Sequence, residues 1–141
     1  MTQSPAAVAR IFHESWTNRD PEAGMAVIAD DCEFWDMARG EQLIGPDGYR
    51  EDYERWLRAF PDGVCEVTRV VEQGEWAVVE FLNRGTNTGP LSNAAGSFPA
   101  TGRRAEIAYC SVMRIRDGKV IFGRDYYDAG AILRQLALVP D

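Results

Sequence analysis

Two aspartates near the end of the chain have the residue type and spacing that suit acid/base chemistry. In the segment GRDYYDAGAILRQLAL (123–138), Asp125 lies inside a predicted strand beside tyrosines, and Asp128 lies where a helix begins. Strand alternation places the two side chains on opposite faces, and we interpret Asp128 as the N-cap of the helix. A carboxyl group that loses water on folding has a raised pKa, so Asp125 is the candidate acid/base. The alternative is an ion pair between Asp125 and one of three arginines, Arg84, Arg114 or Arg124.

A second carboxylate, Asp36, closes the segment ADDCEFWD (29–36), in which a strand is predicted over 32–37. Two carboxyl groups in different environments can differ in pKa, so that one serves as base and the other as acid. The alternative for Asp36 is a solvated residue at a strand end. The single histidine, His13, lies on the first predicted helix and is interpreted as a surface residue rather than a catalytic group.

The composition limits the class of protein. At 141 residues, 45% hydrophobic and 26% charged, the chain is expected to form one domain over 1–141 with room for a core and a pocket. The net charge of -7 argues against a nucleic-acid partner. One histidine and three cysteines without metal-ligand spacing predict neither a metal site nor a cofactor. The apolar runs are too short for a membrane span and no secretory signal is recognised, so a cytoplasmic location without a membrane partner is expected.

Helices precede strands along the chain. Helices are predicted from Ser4-Pro5 to Asn18, from Asp20-Pro21 to Ile28 and from the GPDG stretch at 45–48 to Phe60. Strands are predicted over 32–37, 64–72, 75–84, 104–116 and 119–127, followed by a helix that Asp128 caps. The Gly/Pro-rich segment 85–102 is predicted to be a loop that forms a lid or wall of a binding site. This order indicates an α+β fold with helices on one face of a curved antiparallel sheet.

Some predicted strands are apolar on both faces. Within 104–116, one face carries Ile107, Tyr109, Met113 and Ile115, and the other carries Ala108, Cys110 and Val112. A sheet that is apolar on both sides needs a second cover, and a second copy of the chain supplies one. We therefore expect a homodimer packed through the outer face of the sheet.

Four stretches resemble the nuclear transport factor 2-like superfamily and, within it, the SnoaL-like polyketide cyclases: WTNRD, ADDCEFWD, GTNTGPL…FPATGRR and RDGKVIFGRDYYDAGAILRQLALVP. The resemblance covers nearly the whole chain, and the last stretch is the most specific, with Ala137 in place of the family's glycine. It implies a cone-shaped α+β barrel, with helices and a pocket on the concave side of the antiparallel sheet, usually as a dimer. It also implies an acid/base aspartate at Asp125.

Two enzymes of this superfamily are similar over shorter stretches. Similarity to ketosteroid isomerase places its general base on Asp36, while its oxyanion-hole tyrosine and aspartate fall on Phe12 and Ser111, which departs from that enzyme. In limonene epoxide hydrolase the water-activating aspartate matches Asp125. Its remaining machinery falls on other residue types here, at Phe34, Asp36, Phe81 and Asn83.

These observations predict a cofactor-independent acid/base enzyme that acts on a small apolar polycyclic or terpenoid-like molecule. The expected reaction is proton transfer next to a carbonyl group, leading to aldol-type ring closure or isomerisation, with Asp125 and Asp36 as the catalytic pair. The alternatives are an epoxide-opening enzyme and a non-catalytic ligand-binding or dimerisation module. The pocket is predicted to be lined by Phe12, Trp16, Trp35, Tyr53, Trp56, Phe60, Asn83, Tyr109, Ser111 and Tyr127. The charged stretch 52–58 is interpreted as a solvated helix face.

Overall fold

A computed structural model describes residues 3–93 and 96–140. The elements, in chain order, are α1 (Pro5–Thr17), α2 (Pro21–Ala26), β1 (Ile28–Asp36), β2 (Glu41–Ile44), α3 (Gly45–Ala59), β3 (Val64–Gln73), β4 (Trp76–Thr86), β5 (Leu91–Asn93), β6 (Gly96–Phe98), β7 (Arg104–Arg116), β8 (Lys119–Tyr127) and α4 (Ala129–Gln135). In the part of the chain so described, no helix has both the length and the apolar character needed to cross a membrane.

Side-chain caps fix the starts of three helices. Ser4 Oγ accepts a hydrogen bond from the Ala7 backbone N–H at 3.2 Å, and Asp20 caps α2 in the same way. Asp128 Oδ1 accepts from the Ala131 N–H at 3.1 Å, and its other oxygen pairs with Arg134 at 3.0 Å. Each cap satisfies an N–H that the first helical turn leaves without an intrahelical partner. The prediction that Asp128 is a helix cap is confirmed.

The main sheet has six strands in the order β2-β1-β8-β7-β4-β3, which confirms the predicted α+β fold with a curved sheet. The strands pair antiparallel except for β1 and β8, which are parallel and come from opposite ends of the chain. The prediction of a wholly antiparallel sheet is therefore corrected at this one pair. The parallel register places Asp36 directly beside Asp125, so the two candidate carboxylates lie on the same face of adjacent strands.

Helix α1 packs on the concave face of the sheet and closes the core. The buried Val8 and Ala9 of α1 lie in one apolar cluster with Val79, Phe81 and Met113 of the central strands. A second cluster joins the end of α3 to the C-terminal segment through Ala59, Phe60, Ala105 and Leu136. Because Phe60 is fully buried in that second cluster, it is a core residue.

The segment 85–102 has more structure than a loop. It contains the short β5–β6 hairpin, and Asn87, which is fully buried, ties the segment to α3. Asn87 Nδ2 donates to the carbonyl oxygens of Ala59 (3.1 Å) and Gly89 (2.8 Å), while its Oδ1 accepts from the N–H of Thr101 (2.9 Å). The backbone passes so close to α3 that a Cβ on Gly89 would lie 1.8 Å from the Arg58 carbonyl oxygen, which explains the glycine.

The strand β2 was also not predicted.

Candidate active site

A cavity lies between the concave face of the sheet and the helices α1 and α3. Among the residues predicted for the site, Asp36, Asp125, Phe12, Trp16, Trp35, Trp56, Asn83, Tyr109 and Ser111 line it. No described residue of 85–102 does, so the prediction that this segment forms a lid or wall is wrong for the described residues. The lining is mainly aromatic, as expected for a cavity that takes a flat apolar molecule.

Asp125 projects from β8 into this cavity beside Ser111, its register partner on β7. Burial raises the pKa of Asp125 to about 7, a hydrogen bond with Ser111 opposes that rise, and the nearby carboxylates of Asp52 and Asp36 add to it. The next residue on the same face is Gly123, where a Cβ would lie 3.1 Å from the Phe34 ring. A carboxyl group with a pKa near 7 can both accept and donate a proton at neutral pH.

The predicted alternative of an ion pair to Asp125 is wrong. Arg84 pairs with Glu66 at 2.7 Å and Arg114 pairs with Glu75 at 2.9 Å, both away from Asp125. The Arg124 guanidinium lies over the Phe122 ring at 5.1 Å. Among the described residues, no lysine or arginine forms a salt bridge with Asp125, so its carboxyl group has no cationic partner.

Asp36 is held by several donors. Its Oδ2 accepts hydrogen bonds from Arg39 Nε at 2.9 Å and from the Tyr127 hydroxyl at 2.6 Å, and it forms a salt bridge with Arg39 Nη2 at 2.7 Å. Its Oδ1 accepts from the Arg39 backbone N–H at 3.0 Å. The side chain is 18% exposed. The alternative that Asp36 is a solvated residue at a strand end is therefore wrong.

Helix α3 adds two charged residues that were not predicted for the site. Asp52 and Arg55 line the cavity, and Arg55 Nη2 lies 3.1 Å from Asp52 and 3.3 Å from Glu41. Burial raises the pKa of Asp52, and Arg55 opposes that shift. The interpretation of 52–58 as a solvated face is wrong at Arg55, whose side chain is 18% exposed. The Asp52 side chain is 36% exposed and also lines the cavity. The sequence feature that could have placed these two residues at the cavity is helical spacing. Asp52 lies three residues after Tyr49 and four before Trp56, and both aromatic residues also line the cavity.

His13 is buried, with 2% of its surface exposed, so its interpretation as a surface residue is wrong. The Phe12 and Phe81 rings lie against it, with centroids 5.0 and 4.6 Å away. Nδ1 lies 2.8 Å from the Ala9 carbonyl oxygen, which can only accept, so this nitrogen carries the proton. Nε2 has no hydrogen-bond partner among the described residues. Burial lowers the pKa of His13 to about 4, and the ring is neutral at neutral pH.

Three residues predicted for the pocket do not line it. Phe60 lies in the second core cluster, and Tyr53 packs against the rings of Trp16 and Tyr49. Tyr127 acts behind the cavity surface, where it donates to Asp36 and stacks on Tyr109 with ring centroids 4.2 Å apart. Lining residues that were not predicted are His13, Phe34, Arg39, Leu43, Tyr49, Asp52, Arg55, Cys65, Phe81 and Gly123.

The remaining nucleophile and metal chemistries find little support in the described residues. Cys65 lines the cavity, but burial raises the pKa of its thiol to about 12, so it is not a thiolate at neutral pH. Within residues 3–93 and 96–140, no group of three histidine, cysteine, aspartate or glutamate side chains is placed to hold a metal ion. The chemistry that the cavity offers is proton transfer by carboxyl groups in an aromatic surrounding.

Comparison with known proteins agrees with this arrangement. The family model for SnoaL-like polyketide cyclases matches residues 6–136. Among curated proteins, no significant match to the sequence is found. Many solved structures share the fold, at identities that establish the fold alone.

Three of these structures illustrate the likeness. IdmH of Streptomyces antibioticus, proposed to be a polyketide cyclase, has a TM-score of 0.80 and 22% identity, with 96% of this chain and 99% of that chain covered. AclR of Streptomyces galilaeus, proposed to be a hydroxylase, has a TM-score of 0.80 and 20% identity, over 97% of this chain and 83% of that chain. A protein of Catenulispora acidiphila with a ketosteroid isomerase-like fold, crystallised with trimethylamine, has a TM-score of 0.77 and 18% identity, over 98% of this chain and 96% of that chain.

Proposed function

The chain belongs to the SnoaL-like polyketide cyclase family, and from that premise we propose that it is a cofactor-independent acid/base enzyme acting on a small, mostly apolar polycyclic or terpenoid-like carbonyl compound. The reaction is intramolecular aldol-type ring closure or the related isomerisation. The observation that carries this proposal is Asp125, a carboxyl group with a pKa of about 7 and no cationic partner among the described residues, in an aromatic cavity.

The reaction begins with Asp125 in its carboxylate form. One oxygen takes the proton from the carbon next to a substrate carbonyl, and the electron pair of that C–H bond moves to give an enol or enolate. In ring closure the nucleophilic carbon then adds to a second carbonyl group of the same molecule, whose oxygen receives the proton that Asp125 took, and the Asp125 carboxylate is restored. In isomerisation the proton returns to another carbon. A positioned acid/base group of this kind contributes about 10²–10⁴-fold to the rate.

The lining explains the substrate class. The rings of Phe12, Phe34, Phe81 and Tyr109 present apolar faces to the cavity, and ring pairs among them lie within stacking distance, for example Phe12 and Phe34 at 5.4 Å. A flat polycyclic molecule buries the most apolar area against such walls. Asn83 and Ser111 add polar groups that orient a carbonyl oxygen or hydroxyl group.

The two alternatives fit less well. Epoxide opening was predicted with Asp36 as the proton donor to the epoxide oxygen, and that role is disfavoured because three hydrogen bonds and a salt bridge already engage the two oxygens of Asp36. A non-catalytic binding module would be favoured if either aspartate faced bulk water. Both line the same cavity instead, which supports an enzyme.

The proposal can be tested without the natural substrate. 1-Tetralone is a bicyclic ketone with exchangeable hydrogens next to its carbonyl, and their replacement by deuterium in D₂O is followed by proton NMR. We expect the protein to accelerate exchange, and Asp125→Asn to reduce the accelerated rate by about 10²-fold or more. Ser97→Ala, at an exposed position outside the cavity, is the matched control with unchanged rate. Equal acceleration by the parent protein and Asp125→Asn would contradict the role of Asp125, and no acceleration by the parent would contradict the proposed reaction class.

A further inference from the structure

The three carboxyl groups that line the cavity differ in how fully they are hydrogen-bonded. The oxygens of Asp36 accept three hydrogen bonds from Arg39 and Tyr127 and form a salt bridge with Arg39 Nη2. Asp52 accepts one, from Arg55 Nη2 at 3.1 Å, and Asp125 is hydrogen-bonded by Ser111. A carboxylate can accept at about four lone-pair positions. The oxygens of Asp52 and Asp125 therefore retain lone-pair positions that can accept hydrogen bonds from a substrate, whereas those of Asp36 are engaged by Arg39 and Tyr127.

Asp52 and Asp125 reach the same cavity from different layers of the fold. Asp52 extends from α3, and Asp125 extends from β8 in the sheet. The charge of Asp52 raises the pKa of Asp125 more than that of Asp36 does, although Asp36 is the register neighbour of Asp125. Two interacting carboxyl groups in a site of low polarity titrate as a pair, and the second proton leaves less readily than the first.

We propose that Asp52 is the second catalytic residue, which shares one proton with Asp125 and passes it to the substrate, and that Asp36 positions Arg39 and Tyr127 instead of transferring protons. This inference rests on the proposed function and replaces Asp36 in the pair predicted from the sequence. A substrate carbonyl lying between α3 and β8 presents its oxygen to Asp52 and its neighbouring C–H group to Asp125.

The proton transfers balance in this arrangement. In the state of the pair in which the shared proton lies on Asp52, the Asp125 carboxylate removes a proton from carbon as the Asp52 carboxyl group gives its proton to the carbonyl oxygen. When the enol has formed, Asp125 is the carboxyl group and Asp52 is the carboxylate. The Arg55 guanidinium beside Asp52 stabilises the carboxylate that donation leaves. Return of the proton from the enol oxygen to Asp52, and of a proton or deuteron from Asp125 to carbon, restores the starting state.

The charged and titratable groups facing Asp52 come from every neighbouring element. Arg55 is on its own helix, Asp36 ends β1, Arg39 lies in the turn that follows β1, and Tyr109 and Asp125 belong to the sheet. Burial and the Asp36 carboxylate disfavour the Asp52 carboxylate, and the two arginines favour it. Loss at high pH of the proton that Asp52 and Asp125 share then predicts that the exchange rate falls on the alkaline side.

The test compares four variants, Asp52→Asn, Asp52→Glu, Asp36→Asn and Asp125→Asn, in the 1-tetralone exchange assay between pH 5 and 9. We expect Asp52→Asn to lower kcat about 10²-fold with KM within about twofold and to remove the alkaline fall in rate, and Asp52→Glu to recover part of kcat. Asp36→Asn should change KM or thermal stability but keep the alkaline fall. Unchanged kcat and pH profile in a folded Asp52→Asn, with Asp125→Asn inactive, would overturn the role of Asp52 alone.

A second readout does not depend on activity. Carbon-13 NMR of the aspartate carboxyl groups follows the titration of Asp125 in each variant. Because the charge of Asp52 raises the pKa of Asp125, we expect Asp52→Asn to lower that pKa, and by more than Asp36→Asn does. An Asp125 titration that Asp52→Asn leaves unchanged would overturn the coupling on which the pair depends. A parent protein without exchange activity would contradict the proposed function, whatever the NMR titration shows.

Discussion

At the scale of single residues, Asp125 has an effect on stability as well as on activity. Its pKa of about 7 in the fold exceeds the ordinary value of 3.8, so the folded protein binds this proton more tightly than the unfolded chain does. The resulting stabilisation is complete below about pH 4 and is lost as the pH rises through 7. Asparagine cannot ionise. We expect Asp125→Asn to be more stable than the parent at pH 8, by at most about 4 kcal/mol, and to show no such gain at pH 4.

Urea unfolding at pH 4 and pH 8 measures this difference, with Ser97→Ala as the matched control. A variant that is both more stable at pH 8 and inactive identifies a group kept for function at the expense of stability. If Asp125→Asn were markedly less stable at pH 8, a buried cation would have to pair with Asp125, contrary to the structure.

His13 has the opposite pH dependence. Its pKa is lowered to about 4 in the fold from 6.5, so below about pH 6.5 the unfolded chain binds the proton more readily. The neutral buried ring thus stabilises the fold fully above pH 6.5, and that contribution, about 3 kcal/mol, is lost as the pH falls to 4. His13→Asn keeps an N–H donor for the Ala9 carbonyl. We expect the unfolding free energy of His13→Asn to lack this loss at acid pH. Urea unfolding of both proteins from pH 4 to 7 would then show that the difference in unfolding free energy between parent and variant becomes smaller as the pH falls. A constant difference would contradict the lowered pKa.

The sequence was informative about Asp125 and misleading about His13 for physical reasons. A carboxyl group in a strand beside tyrosines loses water whichever neighbours cover it, so its local context sufficed. The exposure of His13 depends on packing against Phe81, a residue of β4 that is 68 positions further along the chain. Likewise, nothing in the sequence near Asp36 shows that the Tyr127 hydroxyl will reach it.

At the scale of elements, local signals fixed most boundaries. The ends of β7 and β8 agree with the prediction because Asp117 and Gly118 take φ values of 53° and 75°, the turn conformation that this pair favours. Strand β2 has four residues and exists through its pairing with β1, for example Leu43 opposite Phe34. Such a strand has no pattern of its own to recognise. Helix α3 agrees with the prediction, but the position of Asp52 and Arg55 at the cavity does not. Charged side chains on a helix usually indicate a face in contact with solvent, and that indication is misleading at these two residues.

One buried side chain holds the segment 85–102, which contains β5 and β6, against α3. Asn87 is fully buried and bonds both to the end of α3 and to Thr101 at the far end of the segment. Asn87→Ala would leave these buried groups without partners, and we expect it to lower the unfolding free energy by about 2–4 kcal/mol. Thermal and urea unfolding measure the loss, and Ser97→Ala in the same segment should be close to neutral. Since no described residue of 85–102 lines the cavity, deuterium exchange of 1-tetralone in folded Asn87→Ala should persist. Loss of that exchange would instead link the segment to the cavity.

At the scale of the whole molecule, the outer face of the sheet carries apolar side chains that the described part of the chain does not cover. Tyr126 (42% exposed) and Trp76 (40%) lie on it with the half-buried Val112 and Phe122. The Arg114 and Arg124 side chains lie over the Trp76 and Phe122 rings and cover them in part. Aromatic and apolar groups interleaved with arginine are typical of protein–protein interfaces.

We therefore predict that the chain forms a homodimer through this face. The monomer mass is 15.7 kDa, so light scattering at micromolar concentration should give about twice that value. Tyr126→Glu buries a carboxylate at the centre of the contact without a partner, at a cost that a standard interface does not recover, and should give the monomer mass. Met37→Glu is the matched control, because Met37 is equally exposed (42%) but lies in the turn after β1. The Tyr126 side chain lies on the face opposite Asp125, so the cavity should remain intact in the monomer. A parent protein that is monomeric, or a Tyr126→Glu variant that stays dimeric, would place any interface elsewhere.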